Sequence, residues 1–351
     1  MSPIKIDPVS DPLFQLNVLL WLTQPLPQGS QIVPILHQRG FAVYAISPAL
    51  GVPLDLQLAA RAAQIAHQSN GRPDVVLTHE EQRKFAFTEC KASSFRPDSE
   101  TAEQARAFLL IAGSRAAEVL GLNPSQVKDS VLGYLVPENQ KAGLQTALVT
   151  MGSELTSNHL PAARFTILGL QAEGDELNVS IDNVGSVFFS IPAGSHAIMK
   201  LQTDTIPRPL YFIPYDPDLN QSEDERLFCK RVLFERIHSG ILVAVGRATP
   251  PGDLLLKPND LLNDAMFGMY SLWENRDSAT HMRGLCRQLV SALARAVNVE
   301  IPESFTYASQ TGWKISLPDA DRYKRVIDAV SRFSCETMNL RAVPERELFD
   351  L

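Results

Sequence analysis

The sequence predicts an α/β protein in which helices flank a mixed central β-sheet. Three observations lead to this fold class. Two apolar runs, 75–77 and 85–88, enclose a short charged segment and predict a β-hairpin. An Ala-rich amphipathic helix is expected before the hairpin at 54–67, and a second helix opens after it at Ser99. The run 131–136 then predicts a buried strand, so that strands and helices alternate as they do around a helix-covered sheet.

The other elements of the first half follow from similar patterns. The apolar run 13–22 predicts a buried helix or strand that ends before Pro25 and Pro27. In the helix at 54–67, Leu54, Leu58, Ile65 and neighbouring alanines are expected on the buried stripe. The remaining expected elements are a helix at 31–38, a strand at 41–46, a long helix from Ser99 to Leu120 that ends at Gly121, and a helix at 138–156.

The second half begins with a change of pattern near Arg164. Four short apolar runs separated by turn residues predict an antiparallel β-meander, which either extends the first sheet or starts another unit. We therefore expect a first domain at 1–160 and an accessory α+β domain at 161–351. The predicted strands are 165–170, 176–182, 184–191, 195–202 and 241–245, with a Pro-rich linker at 206–217 and helices at 223–238, 260–273, 279–297 and 321–333.

Composition narrows the class of protein. The chain of 351 residues is 45% hydrophobic, yet no apolar run approaches the ~18 to 20 residues that span a bilayer, so we expect a cytoplasmic protein with no membrane partner. The four cysteines are scattered and predict neither a zinc site nor disulfides. A net charge of -7 argues against a protein that binds nucleic acid with its whole surface. The positively charged side chains near the hairpin have two interpretations, a local basic patch for nucleic acid or an ordinary solvated surface. These side chains are Arg72, Arg83, Lys84, Arg96 and Arg106.

The most informative residues lie at one end of the predicted hairpin. Asp74 begins its first strand, while Glu89 and Lys91 end its second strand. Antiparallel pairing brings these groups together, and the two-residue period of a strand places Glu89 and Lys91 on one face with Cys90 on the other. Neighbouring carboxylates repel, and a hard divalent cation such as Mg²⁺ would relieve that repulsion. The alternative is that Asp74 is a turn residue and the other two are a solvated strand end.

Pro73-Asp74 followed by Glu89-Cys90-Lys91 resembles the signature of the PD-(D/E)XK nuclease superfamily. The following helix carries Gln104 and Phe108, which is similar to the QxxxY box of the RecB and lambda-exonuclease branch with Phe in place of Tyr. The likeness covers residues 40–140 and implies a restriction-endonuclease-like core. It also implies that Asp74, Glu89 and the carbonyl of Cys90 ligate Mg²⁺ or Mn²⁺, that Lys91 positions or activates the attacking water, and that Gln104 supports the site. The Phe replacement leaves any role of the Tyr hydroxyl in doubt.

The resemblance implies a metal-dependent deoxyribonuclease that hydrolyses phosphodiester bonds. Its partners would be DNA and either a protein partner or further copies of the chain, and a role in bacterial antiphage defence is the cellular expectation. Two alternatives stay open at this point. The chain could keep the nuclease fold as an inactive scaffold subunit of a larger complex, or it could be an α/β protein that binds a ligand in its second half. Gln104 could equally be a surface residue beside a core anchor, Phe108.

Overall fold

The computed structural model describes residues 8–25, 32–174, 176–200, 211–219, 221–308 and 312–338. Over these ranges the chain is an α/β protein with a mixed sheet and flanking helices, as predicted. It divides into two compact units, Met1–Tyr211 and Phe212–Leu351.

A seven-stranded mixed sheet forms the centre of the first unit. Its order is β1-β4-β5-β6-β7-β8-β9, in which β5, β6 and β7 are parallel and all other neighbours are antiparallel. Two short strands, β2 and β3, pair separately. The strands are β1 (Ala42–Ile46), β2 (Leu50–Gly51), β3 (Asn70–Gly71), β4 (Val75–His79), β5 (Lys84–Cys90), β6 (Asp129–Pro137), β7 (Phe165–Glu173), β8 (Glu176–Ile181) and β9 (Gly194–Lys200).

Helices cover the sheet of the first unit. Three of them, α2, α3 and α5, pack their apolar residues against Phe85, Phe87 and Tyr134 in one hydrophobic cluster. Their side of the sheet is therefore the side to which the odd-numbered residues of β5 point. The helices are α1 (Pro12–Thr23), α2 (Leu54–Ala62), α3 (Glu100–Ile111), α4 (Ala116–Val119), α5 (Lys141–Ser157) and α6 (Asn183–Phe189).

Helix α1 is buried on every side. Of its 12 residues, 11 are buried, and the helix contacts β1, β5 and β6. A helix that is apolar around its whole circumference needs protein on all sides, which explains why the sequence pattern could not separate a helix from a strand here. The sheet curls, and contacts with α6 accompany the curl: the Phe41 ring before β1 packs on Phe188 and Phe189 of α6, and Lys84 Nζ at the start of β5 donates to the Phe188 carbonyl at 2.9 Å.

The expected boundary after residue 160 falls inside the first unit. Strand β7 pairs with β6 in parallel, and β8 and β9 continue the same sheet. The meander therefore extends the first sheet, which was one of the two possibilities that the sequence left open. The strand predicted at 184–191 is wrong, because most of this segment forms helix α6. Asp182 caps that helix by accepting the Gly185 amide hydrogen at 2.7 Å.

Three helix predictions of the first unit also need correction. The buried stripe of α2 carries Leu56 and Ala60, while Leu54 and Leu58 are 69% and 55% exposed. Both pairs have the four-residue spacing of a helix, so periodicity alone could not choose between them. The long helix expected from Ser99 to Leu120 is interrupted between α3 and α4. The Cα of Ala163 would lie 3.4 Å from a Cβ at Gly113, so the chain turns at a tightly packed position. The helix expected at 31–38 is a short 3-10 turn at His37–Arg39, and residue 31 lies outside the described ranges.

The second unit combines helices with a small antiparallel sheet of order β10-β12-β11. The strand predicted at 241–245 is wrong, since Leu233, Ile237, Ile241 and Val245 form one buried stripe of the long helix α7. Of the predicted linker 206–217, residues 206–210 lie outside the described ranges. The elements are α7 (Glu223–Arg247), β10 (Gly252–Leu256), α8 (Pro258–Ala265), α9 (Arg276–Glu300), β11 (Phe305–Tyr307), β12 (Trp313–Leu317) and α10 (Ala320–Arg332).

Across the described ranges, no helix combines the length and the apolar character that crossing a membrane requires.

Close packing of Phe108 against β3 gives a stability prediction. A Cβ at Gly71 would lie 2.6 Å from Cε1 of the fully buried Phe108 ring. We expect Gly71→Ala to lower the free energy of unfolding by about 1–3 kcal/mol, because the ring has no room to retreat. Gly152→Ala is the matched control, since nothing lies within 4 Å of its Cβ position in α5. It should be neutral or stabilise the protein by up to about 1 kcal/mol. Urea unfolding of both variants measures the difference, and equal midpoints would contradict the prediction.

Candidate active site

The predicted hairpin is confirmed and sets the geometry of the site. Strands β4 and β5 are antiparallel with Val75 opposite Thr88, so Asp74 and Glu89, the next residues outward, meet at the same end of the two strands. This end is also where the parallel strands β5 and β6 finish. In α/β sheets the carboxyl ends of parallel strands are where ligands commonly bind.

Asp74 is fixed by backbone hydrogen bonds at the ends of the two strands that flank β4, namely β1 and β5. Its Oδ2 accepts the Cys90 amide hydrogen at 2.6 Å, and its carbonyl accepts that of Ser47 at 2.9 Å. Burial raises the pKa of the Asp74 carboxyl above its ordinary value, although the Cys90 amide favours the charged form and works against that rise. Asp74 as a whole residue is half-buried.

Glu89 is deeply buried, with 3% exposure. Its Oε1 accepts a hydrogen bond from Lys91 Nζ at 2.7 Å. Its Oε2 is buried and has no hydrogen-bond partner among the described residues. Burial, reinforced by the negative charge of Asp74, raises the pKa of Glu89 to about 8. The interpretation of Glu89 as a solvated strand end is therefore wrong, because the helices beside β5 close over it.

Lys91 connects Glu89 to helix α3. Its backbone amide donates to the Leu135 carbonyl of β6 at 3.0 Å, and its Nζ reaches Gln104 Oε1 at 3.3 Å as well as Glu89. Burial lowers the pKa of Lys91, but the charge of Glu89 and the hydrogen bond with it outweigh burial and raise the pKa above its ordinary value. The side chain keeps 23% exposure, so the ammonium borders both the buried carboxylate and solvent.

Helix α3 brings Gln104 to the site. Ser99 caps the helix by accepting the Ala102 amide hydrogen, so α3 begins beside the end of β5 and presents its second turn to Lys91. Phe108, which takes the Tyr position of the QxxxY-like segment, does not lie beside Lys91. It is buried against β3, where its ring is part of the hydrophobic core. The structure thus brings together Asp74, Glu89, Lys91 and Gln104 and leaves Phe108 in a packing role.

Two further residues lie here that the sequence pattern does not indicate. Tyr134 is level with Glu89 in the parallel register of β5 and β6, and burial together with the nearby Glu89 charge raises the pKa of its hydroxyl well above its ordinary value. Gln15 of α1 donates from Nε2 to the Lys91 carbonyl at 3.0 Å. Its one visible signal is a polar amide within an apolar run.

The candidate basic patch is not one surface. Arg106 is buried and pairs with Glu154 at 2.8 Å. Lys84 lies at the opposite end of β5 from the site, and Arg83 donates to the Ser125 carbonyl at 2.8 Å beside it. These three side chains therefore serve packing and local hydrogen bonds away from Glu89. Arg96, in the loop after Lys91, and Arg72, before β4, are exposed.

The polar groups at the hairpin end suit a hard cation. The carboxyl groups of Asp74 and Glu89 are close enough for the charge of Asp74 to raise the pKa of Glu89, and Glu89 Oε2 is buried without a hydrogen-bond partner among the described residues. Both observations describe a site that gains from a positive charge. In the described part of the chain, no three histidine, cysteine, aspartate and glutamate side chains are grouped to hold a metal ion.

The four cysteines are all free and buried, as expected for small apolar side chains.

Comparisons of the chain with protein-family models, with curated proteins and with solved structures found no match, so the likeness to PD-(D/E)XK nucleases rests on the motif residues themselves.

Proposed function

We propose that the protein is a Mg²⁺-dependent nuclease whose active site is formed by Asp74, Glu89, Lys91 and Gln104. The observation that carries the proposal is the convergence of two partly or fully buried carboxyl groups and one ammonium at a strand end, with one oxygen of Glu89 lacking a hydrogen-bond partner among the described residues. Burying such charges is costly unless they are paired or bind a ligand. Perturbed pKa values of neighbouring titratable groups also favour a functional site.

Each residue has a role that follows from its position. Asp74 and Glu89 hold the cation, together with the Cys90 carbonyl. Bound Mg²⁺ supplies positive charge that stabilises the phosphoryl group under attack. Lys91 faces both Glu89 and solvent, so its ammonium orients the attacking water or stabilises the negative charge that develops on the phosphate. Gln104 holds the Lys91 ammonium through its amide oxygen.

DNA is the proposed substrate, on the resemblance of the motif alone. The net charge of -7 favours an enzyme that meets DNA with help, either from a protein partner or from further copies of the chain. The binding surface would then be provided in part by that partner, and antiphage defence remains the cellular setting that we propose.

Cleavage assays test the activity directly. We expect the purified protein to cut at least one of four substrates, namely plasmid, linear duplex DNA, single-stranded DNA and RNA, in the presence of Mg²⁺ or Mn²⁺. Chelation by EDTA should stop the reaction, and cutting of RNA alone would overturn DNA as the substrate. Isothermal calorimetry with Mg²⁺ separates the alternatives: a protein that binds the metal but cuts nothing would support an inactive scaffold. A protein that neither binds nor cuts would support a ligand site in the second unit.

Replacing Gln104 tests its supporting role. We expect Gln104→Ala to lower kcat by about tenfold, because Lys91 loses one of the two acceptors that hold its ammonium. The fold should survive, since Gln104 is only partly buried. Gln68→Ala serves as a control for the loss of a partly buried glutamine amide outside the site. An unchanged kcat in Gln104→Ala would show that Gln104 is a surface residue that does not support the site.

A further inference from the structure

The carbonyl of Lys91 is held by a residue from a distant part of the chain. Gln15 lies 76 residues earlier, in the buried helix α1, and its Nε2 donates at 3.0 Å to Lys91 and at 2.7 Å to the carbonyl of Val9. Both hydrogens of the amide are therefore used. The side chain is fully buried.

The amide of Gln15 is energetically expensive at this position. Its Oε1 is buried and has no partner among the residues that the structure describes, which costs about 1–3 kcal/mol. The residues around it on α1 are mainly apolar. An apolar side chain here would avoid that cost, but the carbonyls of Lys91 and Val9 would lose this donor. The two hydrogen bonds are thus the visible reason for a polar side chain in this place.

Lys91 lies just beyond the end of β5, where the chain is about to leave the sheet. Its two backbone groups are nevertheless fixed from different directions. The amide bonds to the Leu135 carbonyl of β6, and the carbonyl bonds to Gln15 of α1. Fixing both peptide groups fixes the direction of the Cα–Cβ bond. The direction of that bond determines whether Nζ reaches Glu89 Oε1 and Gln104 Oε1.

We propose that Gln15 is a positioning residue for Lys91, acting through the Lys91 carbonyl to hold the ammonium at the site. Its consequence for catalysis rests on the proposed nuclease function, whereas its consequence for the backbone does not. The amide hydrogens of Gln15 go to two backbone carbonyls and not to the carboxylates. Its effect is to extend the ordered end of β5 by one residue at the point where the candidate site needs it.

Amide hydrogen exchange measured by NMR tests the backbone part without any assay of activity. We expect Gln15→Met, which keeps the side-chain length, to speed exchange of the Lys91 amide by about tenfold, the effect of losing one hydrogen bond. The amide of Phe87 in the middle of β5 should exchange at its wild-type rate. Gln15→Asn, whose shorter amide cannot reach both carbonyls, is a second variant in case the first fails to fold. It should show the same change.

Thr23→Val is the matched control. Thr23 is a fully buried polar residue of the same helix, and its hydroxyl donates to the Leu19 and Leu20 carbonyls of α1 itself. It should leave exchange of the Lys91 amide unchanged even if it alters stability. Unchanged Lys91 exchange in both Gln15 variants would overturn the proposal, as would equal acceleration by Thr23→Val.

Kinetics test the positioning role in an active enzyme. We expect Gln15→Met to lower kcat by about tenfold with KM unchanged, and to have no further effect when Lys91 is already alanine. An equal further loss in the Lys91→Ala background would show that Gln15 acts on something other than Lys91. If the wild-type protein cuts nothing, the nuclease proposal fails, and the exchange measurement still decides whether Gln15 fixes the end of β5.

Discussion

Glu89→Gln is expected to lower metal-dependent cleavage by about 10³-fold or more, the loss that follows when a key charge at a catalytic site is removed. Glutamine keeps the shape of the side chain and can still accept from Lys91 Nζ, as Glu89 Oε1 does at 2.7 Å. It loses the negative charge with which Glu89 would hold a cation. Because burial already favours the protonated, neutral form of Glu89, the neutral glutamine should fold well.

Lys91→Ala should lower kcat by about 10²- to 10⁴-fold, a range typical for a side chain that handles charge or protons in the transition state. Glu138→Gln is the matched control for Glu89→Gln, since Glu138 is a half-buried acid that follows β6 at the same edge of the sheet and accepts a hydrogen bond from Ser180. The Glu138→Gln enzyme should cleave at the wild-type rate. Full activity in purified Glu89→Gln or Lys91→Ala would remove this site assignment.

The second large effect concerns stability and pH in the absence of metal. The pKa of Glu89 is about 8 in the folded protein and 4.5 as its ordinary value, so between these pH values the folded state binds a proton that the unfolded chain releases. The free energy of unfolding should therefore fall as pH rises from 4.5 to 8, by up to about 1.4 kcal/mol per pH unit for this one proton. The raised pKa of Asp74 acts in the same direction.

Urea unfolding across this pH range, with EDTA present, measures the effect against Glu89→Gln. The glutamine variant lacks the titrating group, so its stability should fall less over the same range. Adding Mg²⁺ should stabilise the wild type more at pH 8 than at pH 5, because the cation binds the ionised carboxylates. Parallel pH profiles for the wild type and Glu89→Gln would refute the linkage.

Local patterns were sufficient to predict where the site residues meet. The short distance between the runs 75–77 and 85–88 specified a hairpin, and the two-residue period of a strand then placed Glu89 and Lys91 on one face opposite Asp74. The depth of the site was not predictable in this way. Glu89 is buried because α3 and Tyr134 pack beside β5, and those contacts depend on residues far along the chain.

Two of the wrong predictions have the same physical cause. Phe188 and Phe189 have the composition of a strand, but the Asp182 cap and their packing on Phe41 select a helix. The helix predicted at 223–238 and the strand predicted at 241–245 are one helix, α7, because Ile237, Ile241 and Val245 bury one common stripe. In each case tertiary packing outweighed the preference of the local sequence.

The complete burial of α1 has a consequence for how the protein is made. Residues 12–23 leave the ribosome about 100 residues before β6, one of the strands that cover the helix. At a synthesis rate of about 5–20 residues per second, β6 is synthesised roughly 5–20 s after α1, and the apolar surface of α1 lacks this packing partner during that time. During this interval the nascent chain presents a mostly apolar helix to the cell. Burial of α1 can therefore be completed only after β6 has been synthesised.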